Sequence, residues 1–339
     1  MENFYKGKDL MVTGGCGSIG KEIVLQLLKY KPKRLRVFDQ SESGLFHLQE
    51  QLSSYDNIRC LVGNIRDKER LRRAVKGVDI IFHAAALKHV PLCEYNPYEA
   101  VQTNVIGTQN LIEVAREESV DRIIAISTDK AANPINTMGA TKLLSEKLIL
   151  TGALGVCKTI FSCVRFGNVL NSDGSVIPIF KRQIAKGGPV TITSREMTRY
   201  FMSMPKAVSL ILKSAFLTKG GEIFILPMEA LKITDLAEVM IEELAPKHGY
   251  DPKEIKFKDI GVRPGEKIHE SLITKEEIEY LSKVEDLMVL SVSLISGQTK
   301  KKKVKKDKND ANHLDYHSGN IPLLDKKQIR KILKEENMI

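Results

Sequence analysis

The stretch Asp9-Leu-Met-Val-Thr-Gly-Gly-Cys-Gly-Ser-Ile-Gly20 decides the fold of this chain. Its first five residues are mostly apolar and predict a buried strand, and after Gly20 apolar side chains recur at helical spacing. The glycines match the pattern TGxxGxxG: Gly14 allows a tight turn, Gly17 lets the backbone approach a pyrophosphate, and Gly20 lets the helix pack on the strand. The stretch therefore predicts a strand, turn and helix that hold the phosphates of a dinucleotide on the amide groups at the helix N-terminus.

An acid ends the next predicted strand, Arg34–Asp39, about 20 residues beyond the glycines. A carboxylate at Asp39 can accept hydrogen bonds from the adenosine ribose hydroxyls and repels a 2′-phosphate, so it favours NAD over NADP. Arg36 lies within the strand and is expected to point elsewhere, although a basic residue that rescues NADP binding is an open alternative. Asp39 could also cap the helical segment that begins near Ser41, and the two roles are compatible.

Strands and helices alternate along the first half of the chain. Between helical patterns lie further apolar runs that predict strands, at residues 58–62, 78–82, 123–126 and 159–165. This alternation predicts an α/β fold with a Rossmann-type doubly wound parallel sheet. We expect residues 1–168 to form the core of an NAD-binding Rossmann domain. Residues 169–339 are expected to form mainly a smaller C-terminal α/β substrate-binding domain, with a helix at 323–335.

Charge and cysteine content exclude several classes of protein. The formal net charge is +10, but seven lysines and one aspartate lie between residues 300 and 308, and without them the charge is +4. A charged block with few aromatic residues predicts a solvated loop, here at 297–312, rather than a nucleic-acid site. Five scattered cysteines without a CxxC pair argue for reduced thiols in the cytoplasm and against disulfides or a metal site. No apolar run reaches the ~20 residues that cross a bilayer.

A second informative stretch is Ile126-Ser-Thr-Asp-Lys-Ala-Ala-Asn-Pro-Ile-Asn-Thr-Met-Gly-Ala-Thr-Lys142. It continues an apolar strand into hydroxyl, carboxylate and amine side chains and then into a helix, which is the layout of a site at the carboxyl edge of a parallel sheet. Adjacent Asp129 and Lys130 offer an acid and a base within reach of one substrate. From this stretch alone, a strand-end ion pair beside a solvated turn is an equally open interpretation.

Six stretches together resemble the CapD-like nucleotide-sugar 4,6-dehydratases, a branch of the extended short-chain dehydrogenase/reductase superfamily. They are TGGCGSIG at 13–20, HAAALKHVPLCEYNP at 83–97, STDKAANPINTMGATK at 127–142, RFGNVLNSDGSVIPIF at 165–180, MTRYFM at 197–202 and GVRPGEKIHE at 261–270. Longer members of this branch carry membrane helices before the catalytic part, and we expect this chain to be the soluble form.

Two positions depart from the superfamily pattern. Asn64 replaces an aspartate near the adenine, where an amide can still form hydrogen bonds. Met138 replaces the tyrosine of the catalytic YxxxK motif, whose lysine is Lys142. A thioether cannot exchange a proton, so the usual base for the sugar hydroxyl is missing. Some dehydratases of this branch also carry methionine here, and the substitution is interpreted as a mark of the subfamily.

The resemblance implies conversion of UDP-N-acetylglucosamine to a UDP-4-keto-6-deoxy-N-acetylhexosamine, for surface polysaccharide or glycan biosynthesis. Hydride moves from carbon 4 to NAD, water leaves across carbons 5 and 6, and the hydride returns to carbon 6. By similarity, Lys130 is the base at carbon 5 and Asp129 is the acid at the carbon 6 hydroxyl. The basic role requires that the pKa of Lys130 is lowered until the amine is neutral. We expect Asp129, or a water held by Thr128 and Lys142, to take the proton that tyrosine would have taken.

The resemblance also assigns residues to each role. The catalytic set is Thr128, Asp129, Lys130, Met138 and Lys142. Cofactor contacts are expected at Gly14, Gly17, Ser18, Ile19, Gly20, Asp39, Asn64, Ile65, Ala84, Ala85, Ala86, Lys88, Asn104 and Lys142. Substrate contacts are expected at Lys88, Asn168, Ser175, Val176, Arg199, Arg263 and Glu266.

Arg199 and Arg263 are the expected diphosphate partners, because a guanidinium fork matches phosphate oxygens. Arg263 could instead form a surface ion pair with Glu266, and Glu266 could cap a helix predicted at 267–272. Similar enzymes are homo-oligomers, dimers or hexamers, so the resemblance implies assembly of several copies.

Two other functions stay open. A UDP-N-acetylhexosamine 4-epimerase shares the first hydride step, but it would normally keep the tyrosine and would not need the pair Asp129 and Lys130. A non-catalytic NAD-binding sensor would have lost catalysis together with the tyrosine, and the presence of Asp129, Lys130 and Lys142 argues against such decay. Inversion and retention at carbon 5 are equally compatible with these side chains.

Overall fold

The computed structural model describes residues 1–152, 158–172, 174–291 and 317–339. The predicted basic loop at 297–312 and Cys157 lie outside the described residues. The strands of the described residues are β1 (Asp9–Thr13), β2 (Arg34–Asp39), β3 (Ile58–Val62), β4 (Ile80–His83), β5 (Arg122–Ile126), β6 (Ile160–Arg165), β7 (Asn168–Val169), β8 (Val190–Ile192), β9 (Thr198–Met202), β10 (Glu222–Ile225), β11 (Glu229–Lys232), β12 (Phe257–Asp259), β13 (Leu281–Val284) and β14 (Leu287–Ser291).

The α-helices of the same residues are α1 (Glu2–Tyr5), α2 (Ser18–Leu28), α3 (Glu42–Gln51), α4 (Lys68–Val75), α5 (Val90–Tyr95), α6 (Pro97–Ala100), α7 (Gly107–Glu117), α8 (Thr137–Gly152), α9 (Val176–Ile184), α10 (Met204–Leu217), α11 (Ile233–Leu244) and α12 (Lys326–Glu335). A π-helical turn, Val101–Ile106, joins α6 to α7. In the part of the chain described here, no helix has the length and apolar character needed to cross a membrane.

A nine-stranded sheet in the order β13-β14-β10-β6-β5-β4-β1-β2-β3 forms the centre of the molecule. The strands from β10 to β3 pair in parallel, and the antiparallel hairpin of β13 and β14 extends the sheet beyond β10. The order runs outward from β1 through β2 and β3 on one side, and through β4, β5 and β6 on the other. The predicted Rossmann-type doubly wound parallel sheet is therefore confirmed. In such sheets ligands bind at the carboxyl ends of the strands, beside the point where the order reverses.

Alternating side chains of the central strands cover both faces of this sheet. In β1, Leu10 and Val12 belong to one hydrophobic core, and Met11 between them belongs to a second. In β5, Ile124 and Ile123 divide between the cores in the same way. Since successive strand side chains point to opposite faces, a continuous apolar run is what a sheet buried on both faces requires. Each fully buried side chain of this size contributes about 1.5–3 kcal/mol relative to an exposed one.

Two smaller sheets lie in the second half of the chain. β11, β9 and β7 form one of them, β12 pairs with β8 in the other, and a third hydrophobic core includes residues of α9, α11 and α12. Three strands that follow residue 168, namely β10, β13 and β14, belong to the large sheet. The chain thus returns to the Rossmann sheet after the predicted boundary at 168, which stays a prediction.

The final helix starts later than predicted, and one predicted helix is wrong. Asp325 accepts a hydrogen bond from the Gln328 amide, and the Gln328 side chain accepts one from the Asp325 amide, so this capping box starts α12 after Asp325. Residues 267–272 form no helix. The carbonyls of Lys267 and Ile268 accept hydrogen bonds from the guanidinium of Arg199 in β9. These carbonyls therefore bond to a side chain of another element instead of to amides of their own segment.

Candidate active site

The glycine turn between β1 and α2 packs tightly against the loop after β4. Gly14 has φ +69°, and a Cβ added there would lie 2.5 Å from the amide nitrogen of Ala85. A Cβ at Gly20 would lie 2.1 Å from the Gly14 carbonyl oxygen. Gly17 caps α2, and a Cβ there would approach nothing nearer than 3.4 Å. The fold therefore requires glycine at 14 and 20, while the space over Gly17 suits the close approach of a ligand.

Asp39, at the end of β2, stabilises this turn by a hydrogen bond. Its Oδ2 accepts a hydrogen bond of 2.9 Å from the Cys16 amide, and its Oδ1 accepts one of 3.0 Å from the Ser41 amide. The side-chain cap of α3 is Ser41, which accepts from the Gly44 amide, so the alternative role of Asp39 as the helix cap is wrong. Arg36 donates to the carbonyls of Ala74 and Lys76 and so points away from this edge, as predicted.

Asn64 and Asn104 hold loops around the same edge. The Asn64 amide group donates to Gln40 Oε1 at 3.1 Å, and its oxygen accepts from the Arg66 amide at 2.9 Å. Asn104 is buried, accepts from the Leu87 amide at 2.8 Å and donates to the Leu87 carbonyl at 3.0 Å. Asn104 thus braces the segment that includes Ala84, Ala85, Ala86 and Lys88. The contact that we predicted between Asn104 and the cofactor stays a prediction.

A buried histidine lies behind this loop. The ring nitrogens of His83 are 2.8 Å from Thr13 Oγ1 and 3.1 Å from Thr108 Oγ1. Burial, reinforced by the charge of Lys142, lowers the pKa of His83 to about 3. His83 is therefore neutral at physiological pH and joins three secondary-structure elements by hydrogen bonds.

The polar residues after β5 converge on one oxygen atom. Asp129 is fully buried, in a short 3₁₀ turn that spans Asp129–Ala131. Its Oδ1 accepts hydrogen bonds from Thr128 Oγ1 at 2.8 Å and from Lys130 Nζ at 3.0 Å. Its Oδ2 is buried and has no hydrogen-bond partner among the described residues. The structure thus brings the predicted acid and base into direct contact, with the carboxyl group buried and the Lys130 side chain 22% exposed.

A second carboxyl group reaches the same amine. Glu270 is 2% exposed, and its Oε1 lies 3.5 Å from Lys130 Nζ. Burial alone would lower the pKa of Lys130, but the carboxylates of Asp129 and Glu270 raise it overall. The expectation of a lowered pKa is therefore wrong for this structure, because burial of the amine is outweighed by the negative charge of Asp129 together with a smaller addition from Glu270. Burial raises the pKa of Glu270, and the opposing charge of Lys130 does not cancel this effect.

Helix α8 carries Met138 and Lys142 into the site region. Lys142 is buried and donates a hydrogen bond of 2.6 Å to the carbonyl of Ile126, the last residue of β5. Burial lowers the pKa of Lys142. Met138 is 4% exposed and packs in a small apolar cluster that includes Leu87, Val90 and Cys93. The thioether at the position of the expected tyrosine therefore fills a hydrophobic space.

A buried ion pair that the sequence analysis missed supports both catalytic elements. Arg165, at the end of β6, is fully buried and donates from Nε and Nη2 to the two carboxylate oxygens of Glu146, at 3.0 and 2.7 Å. Ser127 Oγ donates to the same carboxylate at 2.5 Å. Glu277 binds the other side of the guanidinium at 2.7 Å. The only sequence signal was the position of Glu146, one helical turn after Lys142.

The predicted substrate residues lie on several elements. Asn168 begins β7, Ser175 caps α9, and Val176 is the first residue of α9. Ser175 Oγ is buried and has no hydrogen-bond partner in the described ranges. The amide of Arg263 donates to Glu266 Oε2 at 3.3 Å, so Glu266 contacts the main chain of Arg263, and the predicted contact of the Arg263 guanidinium with a diphosphate stays a prediction.

Arg199 in β9 binds main-chain carbonyls, a contact that the sequence did not predict. Its guanidinium donates to the carbonyls of Thr198, Ile268 and Lys267 at 2.8–2.9 Å. It therefore fixes the segment that leads to Glu270. Only its remaining N–H groups could reach a diphosphate, and that contact stays a prediction.

A model of the polysaccharide biosynthesis protein family matches residues 10–292. The chain belongs to this family. The resemblance to the CapD-like branch of the extended short-chain dehydrogenases/reductases is confirmed by the relatives as well.

Several curated relatives of this family member are similar over most of its length. An uncharacterized membrane protein of Methanocaldococcus jannaschii is 57% identical over 337 residues, 99% of this chain and 98% of that protein. A UDP-N-acetylglucosamine 4,6-dehydratase (inverting) of Campylobacter jejuni is 41% identical, over 86% of this chain and 84% of the enzyme. A UDP-glucose 4-epimerase of Rickettsia akari is 37% identical, over 97% and 96%. The chain spans half the length of CapD of Staphylococcus aureus, to which it is 43% identical over 85% of its own residues.

Solved structures show the same fold. Pen from Bacillus thuringiensis superposes with a TM-score of 0.91, at 39% identity and 99% coverage of both chains. DesIV, a dTDP-glucose 4,6-dehydratase from Streptomyces venezuelae, superposes with a TM-score of 0.69 at 23% identity, over 77% of this chain and 86% of DesIV. The second likeness shows the Rossmann-type fold alone.

Proposed function

We propose that this chain is a nucleotide-sugar 4,6-dehydratase that acts on UDP-N-acetylglucosamine. The observation that carries the proposal is the hydrogen bond of 3.0 Å from Lys130 Nζ to Oδ1 of the buried Asp129, at the carboxyl edge of the sheet. Removal of water across two carbons needs an acid and a base on one substrate, and this pair supplies both. The identity of 41% to a dehydratase of Campylobacter jejuni supports the same reaction.

We further propose NAD as the cofactor. The required glycines at 14 and 20, the open approach over Gly17 and the carboxylate of Asp39 fit a dinucleotide with a free 2′-hydroxyl. Lys142 fits the nicotinamide ribose, because it is anchored beside the catalytic strand end. Bound NAD would supply reversible hydride transfer between carbon 4 and carbon 6 of the sugar, so no second redox substrate would be needed.

The residues after β5 would carry out the proton steps. Transfer of one proton along the hydrogen bond from Lys130 to Asp129 converts ammonium and carboxylate into amine and carboxylic acid, with no change in net charge. In that form Lys130 can remove the proton from carbon 5, and Asp129 can protonate the leaving hydroxyl at carbon 6. Thr128 already donates to Asp129 and can turn to the carbon 4 oxygen.

The first proton, from the carbon 4 hydroxyl, needs a base other than Met138. We propose that Asp129, or a water held by Thr128 and Lys142, accepts it. Where Asp129 accepts it, Lys130 releases its own proton to solvent; where Asp129 has already taken the Lys130 proton, the water is the acceptor. The lowered pKa of Lys142 supports this assignment, because a less strongly protonated amine can pass a proton onward.

The nucleotide would lie toward the second half of the chain. The unsatisfied Oγ of Ser175 at the N-terminus of α9, with Val176 beside it, suits phosphate or ribose oxygens. Lys88, Asn168, Arg199, Arg263 and Glu266 complete the proposed substrate set. A cytoplasmic homo-oligomer, dimer or hexamer, is part of the same proposal.

Incubation of the purified protein with UDP-N-acetylglucosamine tests the function directly. We expect a product lighter by one water, with a 4-keto group that NMR detects. A 4-epimerase, the second candidate, is supported by the identity of 37% to the enzyme of Rickettsia akari. It would give a product of unchanged mass, and a sensor would give no product.

A further inference from the structure

Glu270 occupies a position that none of the acid and base roles above explains. It lies at the end of the stretch 261–270, is 2% exposed, and approaches Lys130 Nζ to 3.5 Å through Oε1. Its Oε2 is buried and has no hydrogen-bond partner among the described residues. The Lys130 amine is therefore in contact with two buried carboxyl groups, those of Asp129 and Glu270.

The position of Glu270 is fixed by a distant part of the chain. The Glu270 amide donates to Ser318 Oγ at 3.0 Å, and the Ser318 amide donates to the Glu270 carbonyl at 2.8 Å. Ser318 is fully buried, and its Oγ lies 2.8 Å from Thr198 Oγ1 in β9. These bonds fix the main chain at Glu270 and leave its carboxyl group directed toward Lys130.

The charges around Glu270 favour its protonated form. A buried carboxylate oxygen without a donor is costly, and Asp129 places a second carboxylate at the same amine. Burial raises the pKa of Glu270, although Lys130, Arg199 and Lys267 all oppose the rise. Of these cations, Arg199 is engaged by three carbonyls and Lys267 by the carbonyl of Ala132, so Lys130 is the cation in direct contact.

We propose that Glu270 controls whether the proton can pass from Lys130 to Asp129. When the Glu270 carboxyl is protonated, only Asp129 bears a negative charge beside Lys130, and the proton can move across the 3.0 Å hydrogen bond. When Glu270 releases its proton to solvent, a second carboxylate holds Lys130 as ammonium, and the base is unavailable. Glu270 is thus a positioning residue that acts through Lys130, and this inference rests on the proposed dehydratase function.

The pH dependence of the Glu270→Gln variant tests the proposal. Glutamine keeps the size of the side chain and remains neutral, so it imitates the protonated form. We expect the wild-type rate of water loss to fall about tenfold per pH unit above the Glu270 midpoint. Below that midpoint the Glu270→Gln rate should lie within about threefold of the wild-type rate. Above it the variant rate should not fall, because the titrating group has been removed. Glu254→Gln, an exposed position outside the site, is the matched control and should show the wild-type profile.

Two results would overturn the proposal: a Glu270→Gln variant that declines at the same pH as the wild type, or a folded variant without activity at any pH. A wild type that makes no 4-keto product would instead refute the proposed function. Carbon-13 NMR of carboxyl-labelled glutamate decides the state of Glu270 without the reaction. Its signal, identified by its absence in Glu270→Gln, should titrate above the other glutamates and move higher in Lys130→Met. Titration at or below the ordinary value would refute the proposal independently.

Discussion

Arg165 and Glu146 form a bidentate ion pair, in which the guanidinium donates to both carboxylate oxygens at 2.7–3.0 Å. Both side chains are at most 1% exposed. Ser127, directly before the catalytic residues, binds the same carboxylate. The pair therefore joins β6, α8 and the end of β5, and its loss should disturb the site and the fold together.

Glu146→Ala should lower the free energy of unfolding by about 3–5 kcal/mol, because it leaves the Arg165 charge buried and only partly paired. Urea unfolding followed by circular dichroism measures this loss. Arg195→Ala removes an exposed pair with Asp259 and should cost less than about 1 kcal/mol. An equal loss of unfolding free energy in the two variants would show that the buried ion pair stabilises the fold no more than an exposed one.

Asp129→Asn and Lys130→Met should each slow the loss of water by about 10²–10⁴-fold, since each removes one partner of the proton exchange. Lys130→Met keeps both proposed acceptors of the carbon 4 proton, so oxidation at carbon 4 should persist and reduced cofactor should accumulate in a single turnover. Asp129→Asn should do the same only when the water held by Thr128 and Lys142 is the acceptor. Mass spectrometry of the sugar and absorbance of the cofactor follow the two steps separately. Undiminished dehydration in both variants would exclude this pair as the acid and base.

Met138→Tyr should bring no gain in turnover, because the proposed proton acceptors are Asp129 or a water, and position 138 is 4% exposed within an apolar cluster. The larger side chain should cost about 1–3 kcal/mol of stability in the cluster around Leu87 and Cys93. Met138→Leu keeps the volume and should cost under about 1.5 kcal/mol with turnover near that of the wild type. A large rate increase in the tyrosine variant would mean that the native site simply lacks a base.

Gly14→Ala should abolish dinucleotide binding and lower the melting temperature, since φ is +69° and the added Cβ would lie 2.5 Å from the Ala85 amide. Gly7→Ala has a similar φ of +71° but meets nothing within 4 Å, so it isolates the backbone strain. Calorimetric titration with NAD⁺ measures the binding. If both variants bound NAD⁺ equally well, the close packing of the glycine turn would not matter for the cofactor.

Stability should fall in mild acid because of His83. Its pKa is about 3 in the folded chain and 6.5 as the ordinary value, so the unfolded chain binds the extra proton between these limits. Unfolding is therefore favoured as the pH falls below about 6.5, and the loss should reach about 2 kcal/mol at pH 5. Comparison of urea unfolding at pH 7 and pH 5 in wild type and His83→Gln isolates this contribution. Between pH 7 and pH 5 the free energy of unfolding of His83→Gln should fall by about 2 kcal/mol less than that of the wild type. An equal fall in both proteins would contradict the low pKa of His83.

Local patterns were predictable, while distant contacts were not. The strand, turn and helix around Gly14 followed from glycine spacing, and the contact between Asp129 and Lys130 followed from their adjacency at a strand end. Glu270 approaches the same amine from 140 residues further along the chain, and no spacing rule connects them. The direction of the Lys130 pKa shift was mispredicted, because burial of the amine is outweighed by the charge of Asp129, to which Glu270 adds a smaller contribution.

The helix predicted at 267–272 failed for a related reason. Arg199 binds the carbonyls at 267 and 268 from another strand, and Ser318 binds the main chain at Glu270. Such tertiary contacts override local propensity. Arg199 itself was expected to face a diphosphate, since its sequence context gave no sign that three carbonyls would engage it.

The hydrogen bonds of Ser318 have a consequence for how the chain tolerates change. Thr198 and Ser318 are 120 residues apart, and the family match ends at residue 292, before the serine. Ser318→Ala keeps every strand of the large sheet and removes the side-chain oxygen that accepts from the Glu270 amide. Such a chain should therefore stay folded and yet respond differently to acidity in the proposed reaction.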